Sequence, residues 1–170
     1  MPLPLASLNA MTAAQFVASL GGVFEHSPWV AERAFPAGPF ADLAALHAAM
    51  VQAVERAPRS DQLALLRAHP ELAGREARAG TLTSDSTGEQ KSAGLDALSR
   101  AELDRIAELN RRYRKKFGFP FIIAVRRHDK AGIFREFERR LALDAETEFA
   151  NALAQVYAIT RLRLDALVAP

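Results

Sequence analysis

Cysteine is absent from this chain, which removes disulfides, thiolate nucleophiles and every cysteine-based metal site. No apolar run approaches the ~20 residues of a membrane-spanning helix. The opening MPLPLASLNAMTAAQF has neither the basic start nor the long apolar stretch of a signal peptide, and the closing Leu-Val-Ala-Pro is not the Ser-Lys-Leu peroxisomal address. These absences set the cytoplasm as the expected compartment, with no membrane partner. Gly-rich phosphate loops, H-E-x-x-H and EF-hand patterns are missing, as is the G-x-S-x-G elbow of a serine hydrolase. The four histidines are His26, His47, His69 and His128. None pairs with another at ligand spacing, so no metal site is expected. Internal repeats, low-complexity tracts and long linkers are lacking too, which leaves one domain over residues 1–170 as the expectation.

What is present is an ordinary globular composition. Hydrophobic residues make up 49% and charged residues 25% of 170, enough apolar surface for one core to offset chain entropy. Net charge is +2 and the pI about 9.3. Much of the excess lies in one run, Arg111-Arg112-Tyr113-Arg114-Lys115-Lys116. Such a run is open to two readings. One is a nucleic-acid or partner surface. The other is a helix end, where each cation favours the macrodipole by about 0.3–1 kcal/mol. The rest of the chain is nearly balanced in charge, which favours the helix end and no nucleic-acid partner.

Helical patterns dominate. Residues 12–20 carry apolar side chains at helical spacing and stop at Gly21-Gly22. Pro28 suits the first turn of a short helix. Residues 39–56 read as one amphipathic helix through Leu43, Leu46, Met50 and Val54, ended near Pro58. Ser60 is the expected cap of the next helix, and His69 stands at its exit. There Pro70 cannot continue the ladder and pushes its predecessor out of helical geometry, which predicts a displayed rather than buried imidazole. Residues 80–88 are rich in turn and cap formers. Ser86 with Glu89 fits an S-x-x-E capping box, and Ser99 with Glu102 repeats it before a helix over 100–117 that stops at Gly118. Helices over 130–141 and 144–168 complete the set. The one β-like stretch, Phe119–Val125, is apolar and branched but too short and solitary for a sheet. The expected fold is therefore all-α: a compact multi-helix single domain with one short extended segment near residues 119–125.

Chemistry concentrates in two stretches: Leu66-Arg67-Ala68-His69-Pro70-Glu71-Leu72-Ala73-Gly74, and Ser86-x-x-Glu89-Gln90-x-Ser92-Ala93-Gly94. Both lie at element ends, where side chains can converge on a pocket. Histidine exchanges protons near neutral pH. A carboxylate can fix its tautomer or hold a substrate N–H, and glutamine offers a donor and an acceptor. A lone histidine before proline is more often just a helix-end residue, and capping alone accounts for Ser86 and Glu89. The residue types by themselves reach only an acid/base site.

The wording of the sequence goes further. HPELAG at 69–74, the S-x-x-EQ-x-SAGL segment at 86–95 and YRKKFGFPFIIAVR at 113–126 together resemble one family. That family is 2-oxo-4-hydroxy-4-carboxy-5-ureidoimidazoline (OHCU) decarboxylase, which ends the route from urate to (S)-allantoin. FEHSPWVA at 24–31 and YAITRLRL at 157–164 are similar to it as well, so the likeness covers nearly the whole chain in order. It implies an all-helical homodimer without a cofactor, acting on a small ureidoimidazoline. It implies His69 as catalytic acid/base, with Glu89 beside it in the catalytic set. Pro70, Ser86 and Gln90 would line the substrate pocket. Backbone groups of Phe121, Ile122, Ile123, Ala124 and Val125 would hydrogen-bond the substrate. Arg163 matches the arginine of the family's closing Leu-Arg-Leu. Arg161 lies two residues away and nearly opposite around a helix, so only one of the two should face the pocket.

Two other readings stay open on the sequence: a helical binding module using Arg111–Lys116 for nucleic acid or a partner, and a related decarboxylase acting on another ureide.

Overall fold

The computed structural model describes residues 2–170. These form two compact units: residues up to Ala68 together with Tyr157–Pro170, and residues His69–Val156.

The first unit opens with β1 (Leu3–Pro4), which pairs in parallel with β2 (Val168–Ala169). This two-residue pairing is the only sheet among the described residues, so the fold is all-α as expected. Helices α1 (Leu5–Asn9), α2 (Ala13–Leu20) and α3 (Trp29–Ala34) follow. Thr12 and Gln15 form a capping box at the start of α2. Helix α4 (Leu43–Glu55) is shorter than the expected 39–56. Asn9 clamps Phe40 through both of its backbone groups, each at 2.8 Å. Asp42 then caps the helix by accepting the Ala45 N–H at 2.7 Å. The apolar face of α4 is as expected: Leu43, Leu46, Met50 and Val54 are all buried. Helix α5 (Arg59–Arg67) starts before the expected cap, because Pro58 C=O receives the N–H groups of Asp61 and Gln62. Ser60 therefore lies inside the first turn and caps nothing.

The second unit holds α6 (Arg75–Ala79), α7 (Ser84–Ser92), α8 (Arg100–Phe117), α9 (Lys130–Leu141) and most of α10 (Ala145–Leu167). Ser99 and Glu102 make the expected capping box at the start of α8. Gly118 ends that helix at φ 79°, a left-handed geometry favoured by glycine. Residues 119–124 are irregular and pair with no strand, while Val125–Arg127 form a 3₁₀ turn. Val125 thus closes the extended stretch instead of belonging to it. Phe119, Phe121, Phe137 and Tyr113 pack together as an aromatic core, with Phe121 stacked on Phe137 at 3.9 Å between ring centres.

Candidate functional site

Pro70 does end α5, yet the imidazole beside it is buried: His69 is only 6% exposed. Local geometry predicted a displayed side chain. What it missed is the path taken next, since Leu72, Ala73 and Gly74 turn inward and are buried as well. The turn is tight. A Cβ on Gly74 would meet the Glu71 Cβ at 2.6 Å, and Ala73 sits at φ 46°, strained for a residue with a side chain.

Three side chains hold this loop. Gln90 accepts the Ala73 N–H at 2.9 Å and donates to the Glu71 carbonyl at 3.3 Å. Asn110 on α8 donates to the Leu72 carbonyl at 2.9 Å. Arg114, also on α8, pairs with the Glu71 carboxylate at 2.8 Å. The donor and acceptor ends of Gln90 thus bind the loop that carries His69. This clamp is a positioning role that the sequence did not reveal.

Helix α7 carries the other candidates. Its cap is Thr83, whose hydroxyl accepts the Ser86 N–H, so the expected Ser86–Glu89 capping box does not form. Ser86 and Glu89 lie within the helix, and capping no longer explains them. Ser86, Glu89 and Gln90 occupy positions i, i+3 and i+4, one face of a helix, and all three are buried. Burying hydroxyl, carboxyl and amide groups along one face is costly unless they find partners. Helix α7 packs against the 3₁₀ turn Val125–Arg127. Phe121, Ile122, Ile123, Ala124 and Val125 are buried too. His69, Pro70, Ser86, Glu89, Gln90 and Phe121–Val125 therefore all belong to the second unit.

Part of the 121–125 backbone is already spoken for. Ile122 C=O accepts from Arg140 at 2.7 Å, and Ala124 N–H donates to Gln155 at 2.9 Å. The carbonyls of Ala124 and Val125 accept the N–H groups of Arg127 and His128. These four groups are engaged within the protein, which narrows the expected substrate contacts to Phe121 and Ile123 and to the N–H groups of Ile122 and Val125. Arg140 and Gln155 went unnoticed in the sequence. The available signal was an arginine seven residues from Ile133 and three from Phe137, on the apolar stripe of α9.

Arg163 belongs to the first unit. It is buried, and its Nη1 donates to Glu25 at 2.7 Å and to the Val23 carbonyl at 3.2 Å. Glu25, 1% exposed, is a third residue that sequence reasoning passed over, although it lies in the FEHSPWVA stretch. Arg161 pairs instead with Asp165 at the surface, so Arg163 is the inward one of the two.

The basic run is largely spent on the protein itself. Arg111 pairs with Glu108, Arg114 with Glu71, and Lys116 Nζ donates to the carbonyls of Leu141 and Leu143. Tyr113 is buried, its hydroxyl donating to Glu148; desolvation and the adjacent carboxylate push the phenol pKa well above its usual value. The run is therefore a helix end folded into its own surroundings. Among the described residues no group of three or more histidines and carboxylates is placed to hold a metal ion. Among the described residues no helix is long and apolar enough to cross a membrane.

Comparison with known proteins agrees with the ordered motifs. A family model described as OHCU decarboxylase matches residues 9–165. The chain is 44% identical over 162 residues to the 2-oxo-4-hydroxy-4-carboxy-5-ureidoimidazoline decarboxylase of Haloferax volcanii, covering 95% of this chain and 94% of that one. It is 44% identical over 161 residues to a uric acid degradation bifunctional protein of a Bacillus species, covering 95% of this chain but 31% of that protein. The crystal structure of an (S)-allantoin synthase superposes with a TM-score of 0.81 at 31% identity, over 99% of this chain and 54% of that one.

Proposed function

The chain belongs to the OHCU decarboxylase family, and we propose that it converts OHCU to (S)-allantoin in urate degradation, with His69 handling the protons. The observation that carries the site assignment is the burial of His69 together with a helix face made of Ser86, Glu89 and Gln90, all within one unit. Match and motifs run from 9 to 165 across both units, which supports one family domain over 1–170.

The substrate has a carboxylate on a ring carbon that also bears a hydroxyl, next to a C=N bond. When the bond to carbon dioxide breaks, its electron pair enters that C=N system. The nitrogen takes a proton and an enol remains. Ketonisation then puts a proton on one face of the ureido-bearing carbon while the hydroxyl gives up its own. The substrate supplies its own electron sink, so the chemistry does not call for the sink that pyridoxal or thiamine provides. The protein's task is orientation, stabilisation of the electron-rich intermediate and protonation from one side.

In this reading His69 is the acid/base at the hydroxyl-bearing centre. Glu89 acts beside it, holding ring and ureido N–H groups. Ser86, Pro70 and Gln90 line the pocket, with Gln90 also clamping the His69 loop. Backbone groups of the 121–125 stretch pair with the substrate's amide-like edges. Arg163 is assigned to carbonyl oxygens rather than to the leaving carboxylate. A full ion pair to that carboxylate would stabilise the ground state and slow its loss, and Glu25 already neutralises this guanidinium. The resemblance adds a homodimer without metal or organic cofactor.

The test generates OHCU from urate in situ, adds the protein, and follows allantoin by circular dichroism. Optically active (S)-allantoin formed faster than spontaneous decay is expected. Racemic product at the spontaneous rate overturns the proposal. A chelator should leave turnover unchanged.

A further inference from the structure

We propose that Arg140 and Gln155 are positioning residues that hold one edge of the Phe121–Ala124 backbone, so that its opposite edge is presented to the substrate. The inference rests on the substrate reading above.

An extended segment outside a sheet must find partners for its N–H and C=O groups. In extended chain, the backbone groups of residues i and i+2 share one edge, and those of i+1 face the other. Here the two observed side-chain partners hold residues i and i+2 of the segment. Ile122 C=O is held by Arg140 Nη1 at 2.7 Å, and Ala124 N–H by Gln155 Oε1 at 2.9 Å. The N–H and C=O groups of Phe121 and Ile123 take neither of these side chains as a partner, and are the ones proposed to meet the paired N–H and C=O of a ureide or ring amide, in the manner of a strand added to a sheet.

The holders are themselves built to stay still. Arg140 is 2% exposed. Its Nε and Nη2 both donate to Glu148 Oε1, at 2.8 and 2.5 Å. Tyr113 hydroxyl donates to that same oxygen. The Arg140 guanidinium also lies over the Phe121 ring, 4.4 Å from its centre. Glu148 and Gln155 are seven residues apart on α10, two turns along one face, so one helix supplies both the anchor of Arg140 and the acceptor for Ala124. A buried ion pair of this kind is a poor source of net stability. A planar fork that satisfies a carboxylate and a backbone carbonyl together is a good source of geometry.

Removing Arg140 outright would leave Glu148 buried and uncompensated, which is a folding problem. Gln155, half-buried, gives the cleaner test. In Gln155→Leu the Ala124 N–H loses its acceptor, whereas Gln155→Glu keeps one. Contacts made equally to substrate and transition state appear in KM. The expected result for folded Gln155→Leu is a roughly tenfold rise in KM for OHCU and in Kd for (S)-allantoin, with kcat within about threefold. Gln155→Glu should stay close to wild type. Arg140→Lys, which keeps the charge but not the fork, should raise KM if it folds; if it does not, the Gln155 pair decides. Unchanged KM and Kd in Gln155→Leu overturn the inference, as does a Gln155→Glu variant as impaired as Gln155→Leu. If the wild-type protein neither accelerates OHCU decay nor binds (S)-allantoin, the substrate reading falls and takes this one with it. Wild-type turnover with an indifferent Gln155→Leu sinks only this inference.

Discussion

Helices α4 and α7 bury one face each at helical spacing, and the faces have opposite chemistry. On α4 the buried positions are Leu43, Leu46, Met50 and Val54; on α7 they are Ser86, Glu89 and Gln90. The first face contributes apolar burial, about 1.5–3 kcal/mol for each large side chain. The second incurs a desolvation cost and recovers it only through partners. A helix that places hydroxyl, carboxyl and amide inward is shaped for what it must hold. Gln90 shows this, tying α7 to the His69 loop through both ends of its amide. Inward-facing periodicity thus marks burial, and residue type separates an apolar core face from a polar one that needs partners.

That contrast can be broken experimentally. The largest expected effect is on the polar side. His69→Asn should lower kcat about 10²–10⁴-fold, the usual worth of a positioned acid/base, while the far-ultraviolet circular dichroism and Tm stay near wild type. Near wild-type turnover would remove His69 from the chemistry. Leu46→Ala, on α4, should do the reverse. It should cost about 2–5 kcal/mol of unfolding free energy in urea titrations, with KM unchanged for the protein that remains folded. Gln90→Met lies between the two. It strips the loop of its clamp and should cost about 1–3 kcal/mol, from the backbone groups of Ala73 and Glu71 left unsatisfied, and lower kcat besides. If Gln90→Met altered stability but not kcat, Gln90 would be scaffold after all.

The smallest effect sharpens the α4 side, where a histidine stands beside the apolar face. His47 Nε2 lies 3.1 Å from the Thr160 hydroxyl. That hydroxyl's proton goes to the Tyr157 carbonyl, so Nε2 is the donor. Burial first, and then the charge of Arg161, hold the imidazole pKa below its ordinary 6.5. In the window between the folded pKa and 6.5 the unfolded chain binds more protons. The contribution is complete above about pH 6.5 and is lost as pH falls through that window. Tm should therefore decline on the acid side, and His47→Gln should flatten the decline. An unaltered slope would show that His47 takes no part.

Much of this was legible along the chain because it depends on near neighbours. Capping at Ser99, the stop at Gly118 and the apolar stripe of α4 are each decided within a few residues, and the structure has them where periodicity put them. The errors were also local readings, overruled by contacts from afar. Asn9 draws Phe40 out of helical geometry from 31 residues away. At α7, Thr83 takes the capping place expected of Ser86, which changes a cap into an inward-facing side chain. His69 is displaced from α5 by Pro70 as expected, yet Gln90, Asn110 and Arg114 draw its loop into the interior.

The sequence by itself determined the helical class, the absence of thiol chemistry and the family, because composition, period and ordered motifs are properties of the linear chain. Only the tertiary structure decided that His69 is buried, that Arg163 and not Arg161 turns inward to meet Glu25, and that Arg140 and Gln155 take up Ile122 C=O and Ala124 N–H. Each of those outcomes depends on a polar group finding a partner between 17 and 138 residues away. Burial forces such groups to pair, and no local rule names the partner.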